Sequence, residues 1–528
     1  MNKTWWDIGS LYQIYPRSFQ DTNGDGVGDL NGITSRLGYL SWLGVESVWI
    51  SPFFTSPMTD FGYDVADYRD VDPSFGTLED FKHLLVTAHN YGIKVMIDLV
   101  PCHTSNQHPW FIESRSSRDN PKREYYVWRD PKEDGSAPNN WRSLAAGRSW
   151  TFDEATGQYY LHSFLPTQPD LNWDNPAVRE EMKNIVRFWY DLGVDGLRVD
   201  AIWGISKDPD LADDPINPDY HHDLEQYGSY IHNKCKYGPN FDAYLHELAS
   251  VNDEYADRHT VFEFYPDEQI GDIYDQYERV LNVHPTSSAF FMEYRQNQWH
   301  AEHVKCSIEQ YLTRTHGKAL PFFGVGNHDQ PRIASRLGAE RARALSFLNL
   351  LTPGISLVYY GEELGMENGD LSSEDIRDTF SPSNTKFDSR DLERTPMQWD
   401  RSQFAGFSDH QPWLPVHSNR DFINVVDQST DESSLLYMTR SLLKLRSAYP
   451  ALRHGNFNGV DVGSGYVLAF SRTSEDSTLY AVINFADQPQ AIQLPAACSL
   501  LLSSSMRPIT QHDLSTIDAY EARLYIVK

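Results

Sequence analysis

The strongest constraint on this chain is a repeated alternation of short apolar runs with stretches of helical periodicity. "LYQIYPRSF" from Leu11 reads as a strand, "ITSRLGYLSWLG" as a helix, and "ESVWISP" from Glu46 as a second strand. The next helix opens with Thr77 as N-cap and carries Leu78, Phe81, Leu85 and Ala88 on one face. "IKVMIDLVP" from Ile93 is the third strand. A further helix opens with Asn175 and Pro176, lines up Val178, Met182, Ile185 and Trp189, and stops at Gly193. "DGLRVDAI" from Asp195, "HTVFEF" from His259, "PFFGVGNHD" from Pro321 and "GISLVYYGEE" from Gly354 follow as strands. One more, ahead of Pro321, is expected around "SSAFFMEY". Buried strands alternating with helices imply a parallel sheet, because a parallel partner is reached only through a crossover. Eight such units close as an α/β protein of the (β/α)8 TIM-barrel class. The rival, an open doubly wound sheet, lacks its Gly-rich phosphate loop.

Two regions break the rhythm, and the tail changes character. Polar, Trp- and Asn-rich sequence over residues 104–173 reads as a subdomain inserted after the third strand. A second insertion, rich in Asp, Ser and Arg, covers residues 366–425 near the last barrel unit, whose helix carries Leu435, Met438, Leu442 and Leu445. The barrel then takes residues 1–103 and 174–451. Residues 452–528 read as a C-terminal antiparallel β-sandwich domain, with "GYVLAFSRTSEDSTLYAVINF" as a hairpin.

A net charge of −29 repels phosphate backbones and anionic lipid, so neither nucleic acid nor a membrane is an expected partner. The N-terminus has no apolar signal core, and no apolar run approaches the ~18 residues of a membrane span. The four cysteines form no CxxC pair, which suggests a reducing compartment and a cytoplasmic location. Oligomeric state is left open.

Catalytic groups of a barrel project from the C-terminal ends of its strands. The polar residues there are Asp98 and His103 after strand three, Arg198 and Asp200 on strand four, Glu263 on strand five, and Asn327, His328 and Asp329 after strand seven. Any one of these can be a helix cap; together, in order, they form a set. Glycoside hydrolysis requires one carboxylate to attack or orient water and one carboxylic acid to protonate the leaving oxygen. An arginine beside the first favours its ionised form.

"DLVPCHTS", "GLRVDAI", "FEF" and "GVGNHDQ" resemble the four short regions of the α-amylase superfamily, glycoside hydrolase family 13. "QPDLN" (Gln168 to Asn172), "FGYDVADY" and "RTPMQW" resemble motifs of its oligo-1,6-glucosidase subfamily and bacterial exo-acting α-glucosidases. The resemblance implies Asp200 as nucleophile, Glu263 as general acid and then base, and Asp329 as stabiliser of the transition state. It implies that Arg198 orients Asp200, that His103 and His328 bind sugar hydroxyls, and that Tyr63 stacks under the ring. Phe164 would add an apolar wall, and Asp60 with Arg394 would close the pocket at the 4-hydroxyl end, which makes the cleavage exo. Asp267 and Glu268 in "EFYPDE" are rival acids beyond the strand end.

Two departures stand out. Cys102 replaces the family's usual Asn, which removes a ligand of a calcium site at the inserted subdomain, and Phe262 replaces the Gly before the acid. Ala201, after the nucleophile, leans towards α-1,4 or mixed linkages, since Val there goes with α-1,6 bonds. The expected activity is therefore a retaining α-glucosidase on short α-glucosides or oligosaccharides, with transglucosylation open. The alternatives are an α-1,6-specific glucosidase, a sucrose- or trehalose-forming isomerase, and a non-catalytic transporter heavy-chain relative.

"DTNGDGVGDL" places Asp21, Asn23, Asp25, Val27 and Asp29 at every second position around Gly26, as a calcium loop does. A sensor EF-hand needs Glu at its twelfth position, where this chain has Gly32, and a helix where this chain has a strand. The loop is expected to hold a structural Ca²⁺, with Mg²⁺ the alternative ion. No organic cofactor is expected.

Overall fold

The computed structural model describes residues 4–7, 9–145, 147–220, 224, 226–291, 299–315, 321–380, 389–507 and 514–528. Eight parallel strands close a barrel: β1 (Ser10–Ile14), β2 (Ser47–Ile50), β3 (Lys94–Leu99), β4 (Gly196–Val199), β5 (His259–Phe262), β6 (Ser287–Phe291), β7 (Phe322–Gly324) and β8 (Ile355–Tyr359). Each pairs with its sequence neighbours, and β8 returns to β1 with Ser10 opposite Ser356. The strand expected around "SSAFFMEY" is β6; Met292 to Tyr294 of that stretch lie outside the described residues.

Several elements are shorter or longer than the sequence suggests. β1 stops at Ile14 because Pro16 has no N–H for the ladder and opens the 3-10 turn Pro16–Ser18 instead. The first helix starts three residues before "ITSRLGYLSWLG": it spans Leu30–Leu43, with the Asp29 carboxylate accepting from Gly32 N–H as its N-cap. Thr77 caps helix Leu78–Asn90 in a reciprocal box with Asp80, an arrangement worth ~1 kcal/mol. Helix Pro176–Leu192 ends at Gly193, whose φ of 110° is left-handed.

Side chains alternate along each strand, so inward-facing residues recur every second position. Leu11, Trp49, Met96, Val261, Phe290, Phe322, Ile355 and Leu357 plug the lower barrel, with Trp5 and Trp6 packed beneath. Gly196 makes room for this plug: a Cβ there would lie 3.2 Å from both Trp5 and Met96. Two residues further along, the inward positions become polar: Met96 is followed by Asp98, Gly196 by Arg198 and Asp200, Val261 by Glu263. The apolar plug thus forms the floor of a polar cleft.

The excursion after β3 contains helix Pro109–Ser116 and a three-stranded antiparallel sheet of Trp128–Arg129, Trp150–Asp153 and Gln158–Leu161. After β8 the chain runs through turns and the short 3-10 helices Arg390–Leu392 and Ser418–Asp421 before helix Leu435–Ala448. The tail forms a five-stranded antiparallel sheet beside a two-stranded ribbon, with Val482, Ile492, Ile517 and Tyr525 in its core. Among the described residues no helix is long and apolar enough to cross a membrane.

Candidate active site

Arg198 is the centre of the cleft floor. Its Nη1 lies 2.7 Å from Asp98 and 2.5 Å from Asp200, and its Nη2 lies 2.6 Å from Glu263. Asp200 directly follows β4 and Glu263 directly follows β5, so neighbouring strand ends aim both carboxylates at one guanidinium. The Ala201 N–H donates to the other Glu263 oxygen at 2.9 Å. Ala201 adopts a left-handed backbone, φ 44°, which a small side chain tolerates and a β-branched one resists. Asp98 also accepts from Trp49 Nε1 at 2.8 Å, and the guanidinium lies over the Trp49 ring. Asp267 and Glu268 follow the strand end and take no part in this cluster.

Electrostatics follow from this crowding. Burial pushes Asp98 up to about 6 against the pull of Arg198. Burial, then the charge of Glu263, raises Asp200 well above the usual carboxylate range, again opposed by Arg198. One cation faces two buried carboxyl groups and a third, Glu263, that opens to the cavity, so ionisation of Asp98 and Asp200 is opposed by burial and by their neighbours' charge and favoured by Arg198 alone.

The far wall is built differently. Arg390 reaches Asp60 at 2.8 Å, Asp329 at 3.3 Å and Asp378 at 2.8 Å. Arg394, expected beside Asp60 at the 4-hydroxyl end, lies instead behind Asp329. It is fully buried, donating to Asp329 at 2.8 Å and to the His328 carbonyl at 2.7 Å, so it cannot reach the cavity. Arg390, four residues earlier, is turned into the cleft because Asp378 grips both its backbone N–H and its guanidinium. Burial acts to raise Asp329, but the permanent charges of Arg390 and Arg394 outweigh it and hold it far below the usual range. Gln168, in the "QPDLN" segment, donates to the second Asp60 oxygen at 2.9 Å.

Between floor and wall lies a cavity of about 260 Å³, lined by the side chains of Asp60, Tyr63, His103, Phe164, Asp200, Ala201, Glu263, Asp329 and Arg390, with Leu144, Trp203, Tyr265 and Phe380 at its walls. The sequence reading missed Arg390 and the last four. A flexible cation four residues before the "RTPMQW" arginine was the one signal available. His328 is fully buried behind Tyr63 rather than on the wall. Gln13 Nε2 lies 2.8 Å from its Nδ1, and Tyr63 Oη 2.8 Å from its Nε2. Burial keeps it neutral, so in this geometry it holds Tyr63 and Asp329 instead of facing a sugar hydroxyl. His103 reaches the cavity and is likewise held neutral by burial.

Where Cys102 stands, the structure supplies a fixed cation of its own. Lys207 Nζ is buried 3.0 Å from Asp170, beside Cys102, whose thiol is pushed up by burial. The "DTNGDGVGDL" loop docks against the second insertion, with Trp413 N–H donating to the Gly26 carbonyl at 2.9 Å. A Cβ at Gly26 would sit 2.2 Å from the Gln411 carbonyl oxygen, and its φ of 85° also requires glycine. Asp21, Asn23 and Asp25 accept from successive backbone N–H groups of the loop. The Asp29 carboxylate caps the helix and holds Thr22. Both oxygens of Asp21 and of Asp29 already take two hydrogen-bond contacts each, whereas Asn23 Oδ1 and Asp25 Oδ1 accept one each; the donor set is oxygen throughout, as a hard cation requires. Its three carboxylates, however, do not appear among the tight ligand trios of the described residues.

A (β/α)8 barrel with strand-end carboxylates around one arginine, below a small cavity walled by aromatic rings and closed by ion pairs, defines a glycoside hydrolase. A family model described as the α-amylase catalytic domain matches residues 13–455, and the chain belongs to that family. The oligo-1,6-glucosidase of Parageobacillus thermoglucosidasius is 37% identical, with all of both chains covered. The α-glucosidase of Apis mellifera is 36% identical over 92% of this chain and 86% of its own. Among solved structures, the α-glucosyl transfer enzyme XgtA superposes with a TM-score of 0.92 at 36% identity, covering both chains fully. The trehalulose synthase of Pseudomonas mesoacidophila gives 0.89 at 34%, again over both chains.

Proposed function

We propose that this chain is a retaining, exo-acting α-glucosidase that cleaves short α-glucosides through a covalent glucosyl-enzyme. The observation that carries the reading is one guanidinium, Arg198, touching both Asp200 and Glu263 under a cavity closed at its far end by Asp60 and Arg390. Glu263 protonates the glycosidic oxygen as the Asp200 carboxylate attacks the anomeric carbon; Glu263 then takes a proton from the incoming water, which releases the sugar. Asp329, ionised by its arginines, steadies positive charge that develops on the ring. The Asp60–Arg390 pair blocks a longer chain beyond the terminal glucosyl unit. A sugar acceptor in place of water turns the same intermediate to transfer.

Linkage preference leans to α-1,4 or mixed bonds, supported by the small Ala201 at a left-handed backbone position on the cavity wall. The curated relatives named oligo-1,6-glucosidase favour the α-1,6 alternative, and the trehalulose synthase favours isomerisation. The reading includes a structural Ca²⁺ in the loop of Asp21, Asn23, Asp25, Val27 and Asp29. It also includes a cytoplasmic location, supported by four cysteines without a disulfide. Time-resolved product analysis on maltose, isomaltose, sucrose and trehalose, with NMR of the first anomer released, tests it. Release of β-glucose overturns the retaining mechanism, and cleavage confined to isomaltose overturns the linkage assignment.

A further inference from the structure

Outside the cleft, the long excursion between β4 and helix Phe241–Ala249 brings together a carboxylate, an imidazole and a thiol. Asp214, His232 and Cys235 are all buried, and one donor atom from each lies within 4.8 Å of the other two. His232 Nε2 is 2.9 Å from the Tyr227 carbonyl oxygen, so that nitrogen carries the hydrogen and Nδ1 presents its lone pair to the cluster. Nδ1 lies 3.3 Å from Asp214 Oδ2 and 3.6 Å from Cys235 Sγ. The other Asp214 oxygen is taken by the Lys234 N–H at 2.8 Å, which leaves Oδ2 to the cluster.

A lone pair facing a carboxylate oxygen is repulsive unless a cation lies between them. Tetrahedral zinc bonds of ~2.0–2.1 Å to nitrogen, ~2.0–2.2 Å to oxygen and ~2.3 Å to sulfur give edges of about 3.3–3.5 Å for N···O and about 3.6 Å for N···S. The observed contacts lie at those edges. A ligand histidine whose other N–H is held by a backbone carbonyl is the usual outer-shell support of such a site. One sulfur, one nitrogen and one oxygen suit zinc, whereas calcium and magnesium require oxygen.

We propose that Asp214, His232 and Cys235 bind one Zn²⁺, with a solvent molecule as fourth ligand. Cys235 binds as thiolate and releases its proton to solvent, so uptake weakens as pH falls. The ion braces the cleft rim. Asp214 exchanges two 2.8 Å hydrogen bonds with the Asn140 side chain, and Trp141 Nε1 donates to the Ala212 carbonyl, both across to the inserted subdomain. Next to Cys235, the Lys236 ammonium lies 5.0 Å from the ring of the cavity-wall residue Trp203. The rival occupant of the gap is a second proton on His232, which would make it an imidazolium paired with Asp214.

The test uses the full-length protein, stripped with a chelator and titrated with Zn²⁺, Co²⁺ or Ca²⁺ separately. Expected are about one Zn²⁺ per chain by elemental analysis and a thiolate-to-cobalt charge-transfer band. The melting temperature recovers on adding Zn²⁺ by more than Ca²⁺ alone restores. Cys235→Ser should abolish the band and weaken Zn²⁺ binding at least ~10-fold, while Cys306→Ser leaves both unchanged. Where Cys235→Ser does not fold, Asp214→Asn serves, with the band retained but shifted and Zn²⁺ binding weakened. Where neither variant folds, the wild-type band decides. No thiolate–cobalt band in the stripped wild type, or a band that survives in folded Cys235→Ser, overturns the site and leaves the imidazolium pair. Full recovery with Ca²⁺ alone, with no further gain from Zn²⁺, also overturns it.

Discussion

The floor and the far wall of the cleft are built from the same residue types and behave oppositely. On the floor, one arginine, Arg198, faces Asp98, Asp200 and Glu263. On the wall, Arg390 and Arg394 together face Asp60, Asp329 and Asp378. Both clusters are largely buried, so desolvation opposes ionisation in both. The ratio of cations to carboxylates decides the outcome. Asp98 and Asp200 are pushed up, whereas Asp329 and Asp378 are held down. Ionisation is disfavoured at one end of the cleft, and the other holds fixed negative charge against a substrate.

The comparison predicts its own breaking points. The largest effect belongs to the floor: Asp200→Ala should lower kcat on a chromogenic α-glucoside by roughly 10⁴-fold or more, with the melting temperature within a few degrees of wild type. Turnover retained within tenfold would end the nucleophile assignment. Next, removing the cavity-lining cation of the wall leaves Asp60 and Asp378 without their ion-pair partner. Arg390→Ala should cost about 3–5 kcal/mol in kcat/KM, expressed mainly in KM. Arg394→Ala should act more on stability than on KM, because Arg394 touches Asp329 from behind. Equal KM effects in the two variants would erase the distinction between them.

The third prediction concerns pH. A carboxyl with a raised folded value binds its proton more tightly when folded, so its contribution to stability is present below the unfolded value and falls as pH rises. For Asp98 that window runs from about 4 to about 6, and the loss is of order 2–3 kcal/mol. Asp329 and Asp378, with lowered values, contribute in the opposite sense: their share is present above about pH 4 and is lost in stronger acid. Denaturation midpoints of wild type and Asp98→Asn should therefore converge from pH 4 to 6 or cross. Parallel curves would remove Asp98 from the raised carboxyls of the floor. The smallest effect is at the loop of Asp21 to Asp29. Chelation with Ca²⁺ add-back should move the melting temperature by a few degrees while leaving kcat nearly unchanged, because no residue of the loop lines the cavity. An unmoved melting temperature would leave the loop as a metal-free turn.

Much of this protein could be read from the chain because strands and helices are signalled by near neighbours. The period of two that aims Met96 and Asp98 inward also aims Gly196, Arg198 and Asp200, so the floor of the cleft could be read from the chain. β6 was hard to place because its run is short and begins with two serines. Ser287 donates to the His284 carbonyl of the preceding turn, and only Ser288 needs a distant partner, His259 on the neighbouring strand. The wall was legible only in part for a related reason. "RTPMQW" pointed to Arg394 at the 4-hydroxyl end, whereas Asp378 holds Arg390 beside Asp60, a contact that no local pattern announces.

By itself, the sequence determined which strand ends carry carboxylates and in what order, because side-chain alternation is a property of a single strand. Only the tertiary structure decided which arginine meets Asp60, how the protons divide between floor and wall, and that Asp214, His232 and Cys235 share one buried point. Those outcomes depend on distances between segments far apart in the chain, and on the burial that makes each charge depend on its neighbours.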